Sequence, residues 1–291
     1  TLSLVDTERL RVSEKQIGQQ LSDVAAVPGS DQLLVTDFAG STVVVVRHSE
    51  EGLRIFDRVE VSAWPESVVV NRSGDFACVA SLWSRRLSIL SRSKAAGGEA
   101  QRFSVLHQID LSFAPKAAEF VGADQVVVAD CFGVRLVVVD CESGVVVSEH
   151  ELPVHNIRDI AVGHDGRVYV TCQRLNPKGY ADYEDIHLGI LIENEILAIS
   201  AESLVRSRGE GEVRPERISL GGPGEGAGDP DSILVTSKQF VVSLAGTDEL
   251  AIVDRVGVRQ SRVPVGRRPI SIAHDTATNR AYVVNSLSDS V

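Results

Sequence analysis

The fold is decided by the segment Arg267–Val291, which reads RRPISIAHDTATNRAYVVNSLSDSV. It holds a Pro-led apolar run, a polar turn and a second apolar run. Short runs of Val, Ile and Ala between turn residues are typical of β-strands. Earlier segments with the same order begin at Leu21, Pro65, Pro115, Ile157 and Pro230. Each of these segments is followed by two more strand-like runs. The last repeat therefore has only two of the four strands that the others have.

Four antiparallel strands in every 40 to 50 residues, roughly, are typical of a β-propeller blade. One such sheet cannot bury both of its faces, whereas radially stacked sheets cover one another. The chain begins TLSLVDTERLRVSEKQIG, which reads as two strands without a first half. Pairing these strands with the last two would complete a blade and remove an exposed sheet edge. We predict an all-β fold, a single β-propeller of six four-stranded blades closed by the N-terminal strands, with seven blades as the alternative.

The predicted propeller takes up the whole chain, because no segment resembles an interdomain linker. We expect one domain over residues 1–291. Its blades are predicted at approximately 20–62, 63–112, 113–153, 154–220, 221–266, and 267–291 together with 1–18.

Composition excludes several classes of partner and cofactor. The net charge of −11 argues against nucleic acid, which would need a basic face. No apolar stretch approaches the roughly 20 residues of a membrane span. The chain has no C-x-x-C-H motif, so we expect no covalently attached haem and no cofactor in this chain, apart from a divalent metal as an alternative. It also has no Met, which we interpret as the sign of a processed or trimmed product.

The four cysteines, Cys78, Cys131, Cys141 and Cys172, form no C-x-x-C pair. Most of them fall in or at the end of predicted strands. We expect buried free thiols that pack as small hydrophobes, with a disulfide or a metal role as the alternative.

The segment Arg267–Val291 resembles the YVTN-type β-propeller repeat, in its Pro-led first strand, its IA pair and its AYVVN second strand. The runs LSLVD at Leu2–Asp6 and LAIVD at Leu250–Asp254 are similar to the third strand of that repeat. Such propellers are exported proteins of bacteria and archaea, and some are fused to or partnered with dihaem peroxidase-like cytochromes. The resemblance implies an extracytoplasmic location, periplasmic or at the cell surface, and haem only in a partner or fused domain.

Aligning the repeats places polar residues on one face of the ring, here called the top. It carries the starts of the first strands and the ends of the second strands. The residues predicted at the channel mouth there are Asp23, Asp37, Glu66, Lys116, Asp130, Arg158, Asp159 and Asp231. They would form a polar-ligand site, or simply line a wet channel and pair with one another. If the protein is a hydrolase, Glu66, Arg158 and Asp231 are the catalytic candidates, with Lys116 as an alternative to Arg158.

A second set of residues is predicted to contact a protein partner. Trp64 and Trp83 flank the first two strands of the second repeat, and Arg85 follows. The fourth repeat carries a long insertion from Gln173 to Asn194, typical of a functional loop. The predicted partner surface is Trp64, Trp83, Arg85, Tyr180, Tyr183 and His187. The candidate metal ligands in the insertion are Asp182, Glu184, Asp185 and His187, and a solvated acidic loop is the alternative.

The motifs of the common enzyme classes are missing. The chain has no G-x-S-x-G, no H-E-x-x-H and no phosphate-binding Gly loop followed by Lys. We therefore favour a non-catalytic propeller that presents its top face to a protein partner, such as a dihaem cytochrome in an electron-transfer system. The alternatives are a lactonase-like hydrolase and a small-ligand or metal-binding propeller that use the channel mouth.

Overall fold

The computed structural model describes residues 1–7, 9, 11–49, 52–93, 101–187, 189, 191–206, 213–222, 225–257 and 260–291, without the side chains of residues 186 and 187. The chain divides into two compact units. The first comprises Thr1–Val128 with Val138–Val147, and the second comprises Ala129–Val137 with Ser148–Val291. The single-domain organisation and the blade limits stay predictions.

Strands follow one another through nearly the whole described chain, and within each sheet the strands that are consecutive in sequence pair with each other. A two-stranded sheet comes first, formed by β1 (Leu2–Asp6) and β2 (Arg11–Lys15). The next sheet contains β3 (Leu21–Ala26), β4 (Gln32–Asp37), β5 (Thr42–Ser49) and β6 (Gly52–Glu60). The third contains β7 (Pro65–Val70), β8 (Phe76–Ser81), β9 (Arg86–Arg92) and β10 (Phe103–Asp110).

The remaining sheets continue the same order. One contains β11 (Pro115–Phe120), β12 (Gln125–Asp130), β13 (Arg135–Asp140) and β14 (Val145–Glu151). The next contains β15 (His155–Val162), β16 (Arg167–Leu175), β17 (Ile192–Ser200) and β18 (Glu216–Ser219), with α1 (Tyr183–His187) and α2 (Ala201–Arg206) between its strands. The last two contain β19 (Pro230–Val235), β20 (Gln239–Leu244), β21 (Glu249–Asp254) and β22 (Gln260–Pro264), and then β23 (Pro269–Asp275) and β24 (Arg280–Asn285). The prediction of repeated four-stranded sheets is confirmed.

The Val-rich strands are buried on both faces, which explains their continuous apolar runs. In β5, Val43 and Val45 pack on one face against the sheet of β7–β10, in a cluster with Val68 and Phe103. The alternate residues Val44 and Val46 pack on the other face, in a cluster with Ile17. Because side chains alternate along a strand, a run of four valines covers two cores. Burying each valine stabilises the fold by about 1.5 to 2 kcal/mol.

The second unit contains a core of the same kind between two of its own sheets. Tyr169 of β16 and Phe240 of β20 lie with their ring centroids 4.8 Å apart. Ile196, Val242 and Val253 pack in the same cluster. The guanidinium of Arg255 lies over both rings, 4.6 and 4.7 Å from their centroids. In each unit, two neighbouring sheets therefore cover each other's faces, as stacked sheets do.

The two halves of the predicted closing blade are each formed as a two-stranded sheet. β1 pairs with β2 in the first unit, and β23 pairs with β24 in the second. After β24 the chain turns back, and the Asn285 N–H donates to the Ser290 carbonyl at 2.9 Å. The closure of the last blade by the N-terminal strands stays a prediction.

Both helices are short insertions in the sheet of β15–β18. α2, which lies between β17 and β18, is held by the carbonyl of Leu204. This oxygen accepts from Ser148 Oγ at 2.6 Å and lies 2.9 Å from His150 Nε2. No helix in the described part of the chain has the length and apolar character that crossing a membrane needs.

Candidate functional site

Most of the predicted mouth residues lie near the starts of first strands, where the strand pairing is irregular. The pairing register shifts near the start of five first strands, between Leu21/Val24, Pro65/Ser67, His155/Asp159, Pro230/Ile233 and Pro269/Ser271. Such bulges re-aim side chains and interrupt the ladder. At three of these bulges a side chain reaches the neighbouring sheet, namely that of Asp23, Ser67 or Asp159.

Asp23 uses its carboxylate to join two sheets of the first unit. Oδ1 accepts from the N–H of Val24 at 2.8 Å, and Oδ2 accepts from the N–H of Val68 in β7 at 3.0 Å. Burial raises the pKa of Asp23 to about 6, and the charge of the nearby Glu66 adds to the rise.

Asp159 repeats this arrangement in the second unit. Oδ1 accepts from Ile160 N–H and Oδ2 from Ile233 N–H in β19, both at 2.9 Å. Burial raises the pKa of Asp159 to about 6, and the Asp231 carboxylate adds to the rise. We call Asp23 and Asp159 the clasp aspartates. They are half-buried acids that bind backbone donors of the next sheet, and each lies near a second carboxylate.

Asp37 and Asp130 have a different role, as caps of the turn after a second strand. The two carboxylate oxygens of Asp37 accept from Gln19 and Gln20 N–H groups, each at 2.9 Å. Asp130 accepts from the N–H of Phe132 at 3.2 Å. A Cβ at Gly133 would come within 2.0 Å of the Asp130 carboxylate, so a larger residue there would displace this carboxylate. Both aspartates are buried, and both accept hydrogen bonds from nearby backbone N–H groups. This leaves their carboxylates little capacity to bind a ligand.

The charged mouth residues Glu66, Lys116, Arg158 and Asp231 are all half-buried at strand starts. Arg158 Nη2 lies 2.8 Å from Asp229 Oδ1, in a pair that the repeat alignment did not predict. Asp229 has a φ of 53° in the linker before β19, a conformation that no sequence pattern indicated. In the second unit, Arg158, Asp159, Asp229 and Asp231 thus form one charged group at the ends of β15 and β19.

The two loops that carry the tryptophans are joined by hydrogen bonds. Leu82 N–H donates to the Trp64 carbonyl at 3.0 Å, and Ser84 Oγ donates to the Ala63 carbonyl at 2.9 Å. Trp64 is 44% exposed and Trp83 57% exposed, with the exposed Arg85 two residues further on. Trp64 and Arg85 have positive φ angles of 60° and 54°. The equivalent turn positions of other repeats, Arg268 and Asp248, also have positive φ, so this conformation is a feature of the repeat. We call Trp64, Trp83 and Arg85 the tryptophan surface.

The insertion in the fourth repeat uses its acidic residues to build a short helix. Asp185 N–H donates to Asp182 Oδ1 at 2.8 Å, and Tyr180 N–H donates to Asp185 Oδ2 at 2.6 Å. Tyr180 and Tyr183 are 75% and 82% exposed. Among the described side chains no group of three or more His, Cys, Asp and Glu could hold a metal ion. The His187 side chain lies outside them, so the metal prediction for Asp182, Glu184, Asp185 and His187 is still untested.

The cysteine prediction is confirmed. Cys78, Cys131, Cys141 and Cys172 are free and buried. Burial raises the pKa of the Cys141 thiol to about 12, with a contribution from the charges of Asp140 and Asp124. Burial also raises the pKa of Cys172. The thiols of Cys141 and Cys172 therefore stay protonated near neutral pH, because a thiol ionises there only in an electropositive, exposed site.

No family model and no curated protein matches the chain. Solved structures do match it. A chain of hydrazine synthase from Kuenenia stuttgartiensis is 18% identical, with a TM-score of 0.81 over 99% of this chain and 87% of that one. A candidate 6-phosphogluconolactonase from Bacteroides uniformis is 12% identical, with a TM-score of 0.61 over 92% and 79% of the two chains.

The β-propeller domain of Cps50 (Swd1) from Myceliophteria thermophila is also similar, at 12% identity and a TM-score of 0.62 over 96% of this chain and 88% of that one. At identities this low, structural similarity establishes the fold and leaves the activity open. Together with the repeated four-stranded sheets, these similarities show that the chain has the β-propeller fold, with six or seven blades.

Proposed function

We propose that this propeller is a binding module that docks a protein partner on the tryptophan surface, formed by Trp64, Trp83 and Arg85. The observation that carries the proposal is the exposure of both tryptophans of the chain on two hydrogen-bonded loops. Trp and Arg are the residues most enriched in binding hot spots.

The finer proposal is that the partner is a dihaem cytochrome, in an extracytoplasmic electron-transfer system. It rests on the resemblance to YVTN-type propellers in Arg267–Val291. The similarity to a chain of hydrazine synthase supports the view that this fold occurs in enzyme assemblies. The haem would belong to the partner, because this chain has no C-x-x-C-H motif. The exposed Tyr180 and Tyr183 of the insertion are proposed as a second part of the partner surface.

Removing one tryptophan should weaken partner binding strongly. We expect Trp83→Ala to lower the affinity about 30-fold, because truncating a hot-spot residue costs about 2 kcal/mol or more. Immobilised wild type and variant would be incubated with an extract of the native source. The retained protein would be measured by its Soret absorbance and by mass spectrometry.

Val256→Ala is the matched control, since Val256 is 73% exposed in a different hairpin turn. It should retain as much partner as wild type. A haem protein held equally by Trp83→Ala and wild type would refute docking on this surface. A Trp83-dependent partner without haem would refute the cytochrome and keep the docking surface.

A second candidate function is lactone or ester hydrolysis, favoured by the charged group of Arg158, Asp159 and Asp231. A carboxyl group with a pKa of about 6, as in Asp159, is suited to act as a general base near neutral pH. Arg158 could polarise the substrate carbonyl. In the first unit, Glu66 lies beside the clasp aspartate Asp23 in the equivalent position.

If this activity exists, Arg158→Ala should lower turnover of a simple lactone at pH 7 at least about 100-fold. Glu66→Gln tests the equivalent group of the first unit in the same assay. Asp275→Asn, a change in an exposed hairpin turn, should leave the rate unchanged. Absence of turnover by the wild type, or equal rates for wild type and Arg158→Ala, would exclude the mechanism.

A further inference from the structure

A cavity of about 470 Å³ lies in the second unit, at the turns of three consecutive first hairpins. His164 comes from the β15–β16 turn, Thr236 to Gln239 from the β19–β20 turn, and His274 and Asn279 from the β23–β24 hairpin. The volume falls in the range of about 300 to 1,000 Å³ that is typical of small-molecule sites. Since the clasp aspartate Asp159 and Arg158 lie at the start of β15, the cavity is at the opposite end of these strands.

The charge of this cavity differs from that of the protein as a whole. The chain carries a net charge of −11, yet the cavity is lined by one lysine, two histidines, and neutral hydroxyl and amide groups, without a carboxylate. The acids nearest in sequence have partners of their own. Asp165 accepts from the Tyr169 hydroxyl at 2.6 Å and pairs with Arg255. Asp275 accepts from Ala277 N–H at 2.9 Å and from the Thr278 hydroxyl, and it also interacts electrostatically with His274.

The central turn is rigid, and its lysine is available. Thr236 Oγ1 accepts from the N–H groups of Lys238 and Gln239, at 3.3 and 3.0 Å, and donates to the Gln239 carbonyl at 2.8 Å. These bonds fix the backbone that carries Ser237 and Lys238. In the described part of the chain, the Lys238 ammonium, the Ser237 hydroxyl and the His164 ring have no hydrogen bond or ion pair. They are free to bind a ligand.

The opposite wall is ordered by a contact within the β23–β24 hairpin. His274 Nε2 lies 3.3 Å from Asn279 Oδ1, and Asn279 has a φ of 54°. The carbonyl oxygen of Asn279 can accept a hydrogen bond only if this ring nitrogen carries the proton. The second ring nitrogen then remains for a ligand, as a donor when the ring is charged. Donors from three separate turns thus border one space.

We propose that this cavity binds a phosphate group carried by a small molecule. An anion is favoured because Lys238, the lysine that lines the cavity, lacks a carboxylate partner among the described residues. Phosphate is favoured over carboxylate because the donors come from three directions and include a lysine. Lysine binds phosphate as a point charge, whereas planar carboxylates are typically held by the bidentate fork of arginine. The cavity is larger than inorganic phosphate needs, so the ligand is an organic phosphate. This proposal does not depend on the proposed function.

The test is NMR of the histidine side chains of the full chain, during titration with glycerol 3-phosphate at constant ionic strength. We expect the ring signals of His164 and His274 to shift with a saturable curve, while those of the other five histidines stay constant. Lys238→Ala should weaken the binding about tenfold, as expected for loss of a hydrogen bond to a charged group. Lys178→Ala, which removes an exposed lysine of the insertion, should bind as wild type does.

Two further titrations distinguish the ligand. Glycerol should give no shift, because it lacks the phosphate. Inorganic phosphate should bind more weakly than glycerol 3-phosphate, and equal affinity would overturn the organic part of the proposal. An absence of His164 and His274 shifts, or an equal affinity in Lys238→Ala, would overturn the site itself.

Discussion

The free energy of unfolding should fall by about 2 kcal/mol for each clasp aspartate when the pH rises from 4.5 to 7.5. Burial raises the pKa of Asp23 and of Asp159 from 3.8 to about 6. The folded protein therefore binds these two protons more tightly than the unfolded chain does. Their contribution to stability is complete below pH 3.8 and is lost as the pH rises through about 6.

Urea unfolding at pH 4.5, 6 and 7.5 measures this loss. In Asp159→Asn the group cannot titrate, so the decrease between pH 4.5 and 7.5 should be about 2 kcal/mol smaller than in wild type. The variant also loses an acceptor for Ile160 or Ile233 N–H. That cost is the same at each pH, so it does not alter the slope of the free energy of unfolding against pH.

Asp275→Asn is the matched control for the pH dependence. The hydroxyl of Thr278 holds the pKa of Asp275 below its usual value, and this aspartate is exposed. Its contribution is present above the unfolded pKa and changes only at lower pH, so the variant should keep the wild-type slope from pH 4.5 to 7.5. A slope in Asp159→Asn equal to that of wild type would show that the clasp carboxyl does not titrate in this range.

The repeat and the burial of strands on both faces could be predicted because each follows from a local pattern in the sequence. The valine run of β5 indicates a strand buried on both faces, and the structure confirms it. The alignment also brought Asp23 and Asp159 to equivalent places. It could not show that their oxygens bind N–H groups of the next sheet, because the bulge that aims them has no sequence signature.

Other parts of the candidate sites depend on contacts between segments that are distant in sequence. The pair of Arg158 and Asp229 joins residues 71 positions apart, through a linker whose positive φ no motif indicates. The cationic cavity was missed because only the ends of the first and second strands were aligned. Aligning the turns between them would have placed His164, Lys238 and His274 together. The helix α2 was missed because AESLVR is too short to show a helical period.

Replacing Glu195 should destabilise the protein by about 2 to 3 kcal/mol. Glu195 is 3% exposed on β17, between an arginine of each neighbouring strand. Its Oε1 binds Arg217 of β18 and lies 3.5 Å from Arg174 Nε of β16. Glu195→Ala would remove the buried counter-charge of Arg217, whereas Arg174 would keep its pair with Glu193. Because the two arginine side chains are 29% and 33% exposed, water offsets part of the cost, so we expect less than the full penalty for an isolated buried charge.

The matched control for Glu195 is Glu216→Ala, in the same sheet. Glu216 pairs with Arg167 at 2.5 Å, but the two side chains are 56% and 44% exposed. Exposed pairs contribute little, so this variant should unfold within about 0.5 kcal/mol of wild type. Both variants would be measured by urea unfolding at pH 7. Equal stabilities of Glu195→Ala and Glu216→Ala would mean that burial gives the Arg174–Glu195–Arg217 group no added strength. A large difference would mean that this group anchors the end of β16, because Arg174 lies one residue before the last residue of that strand.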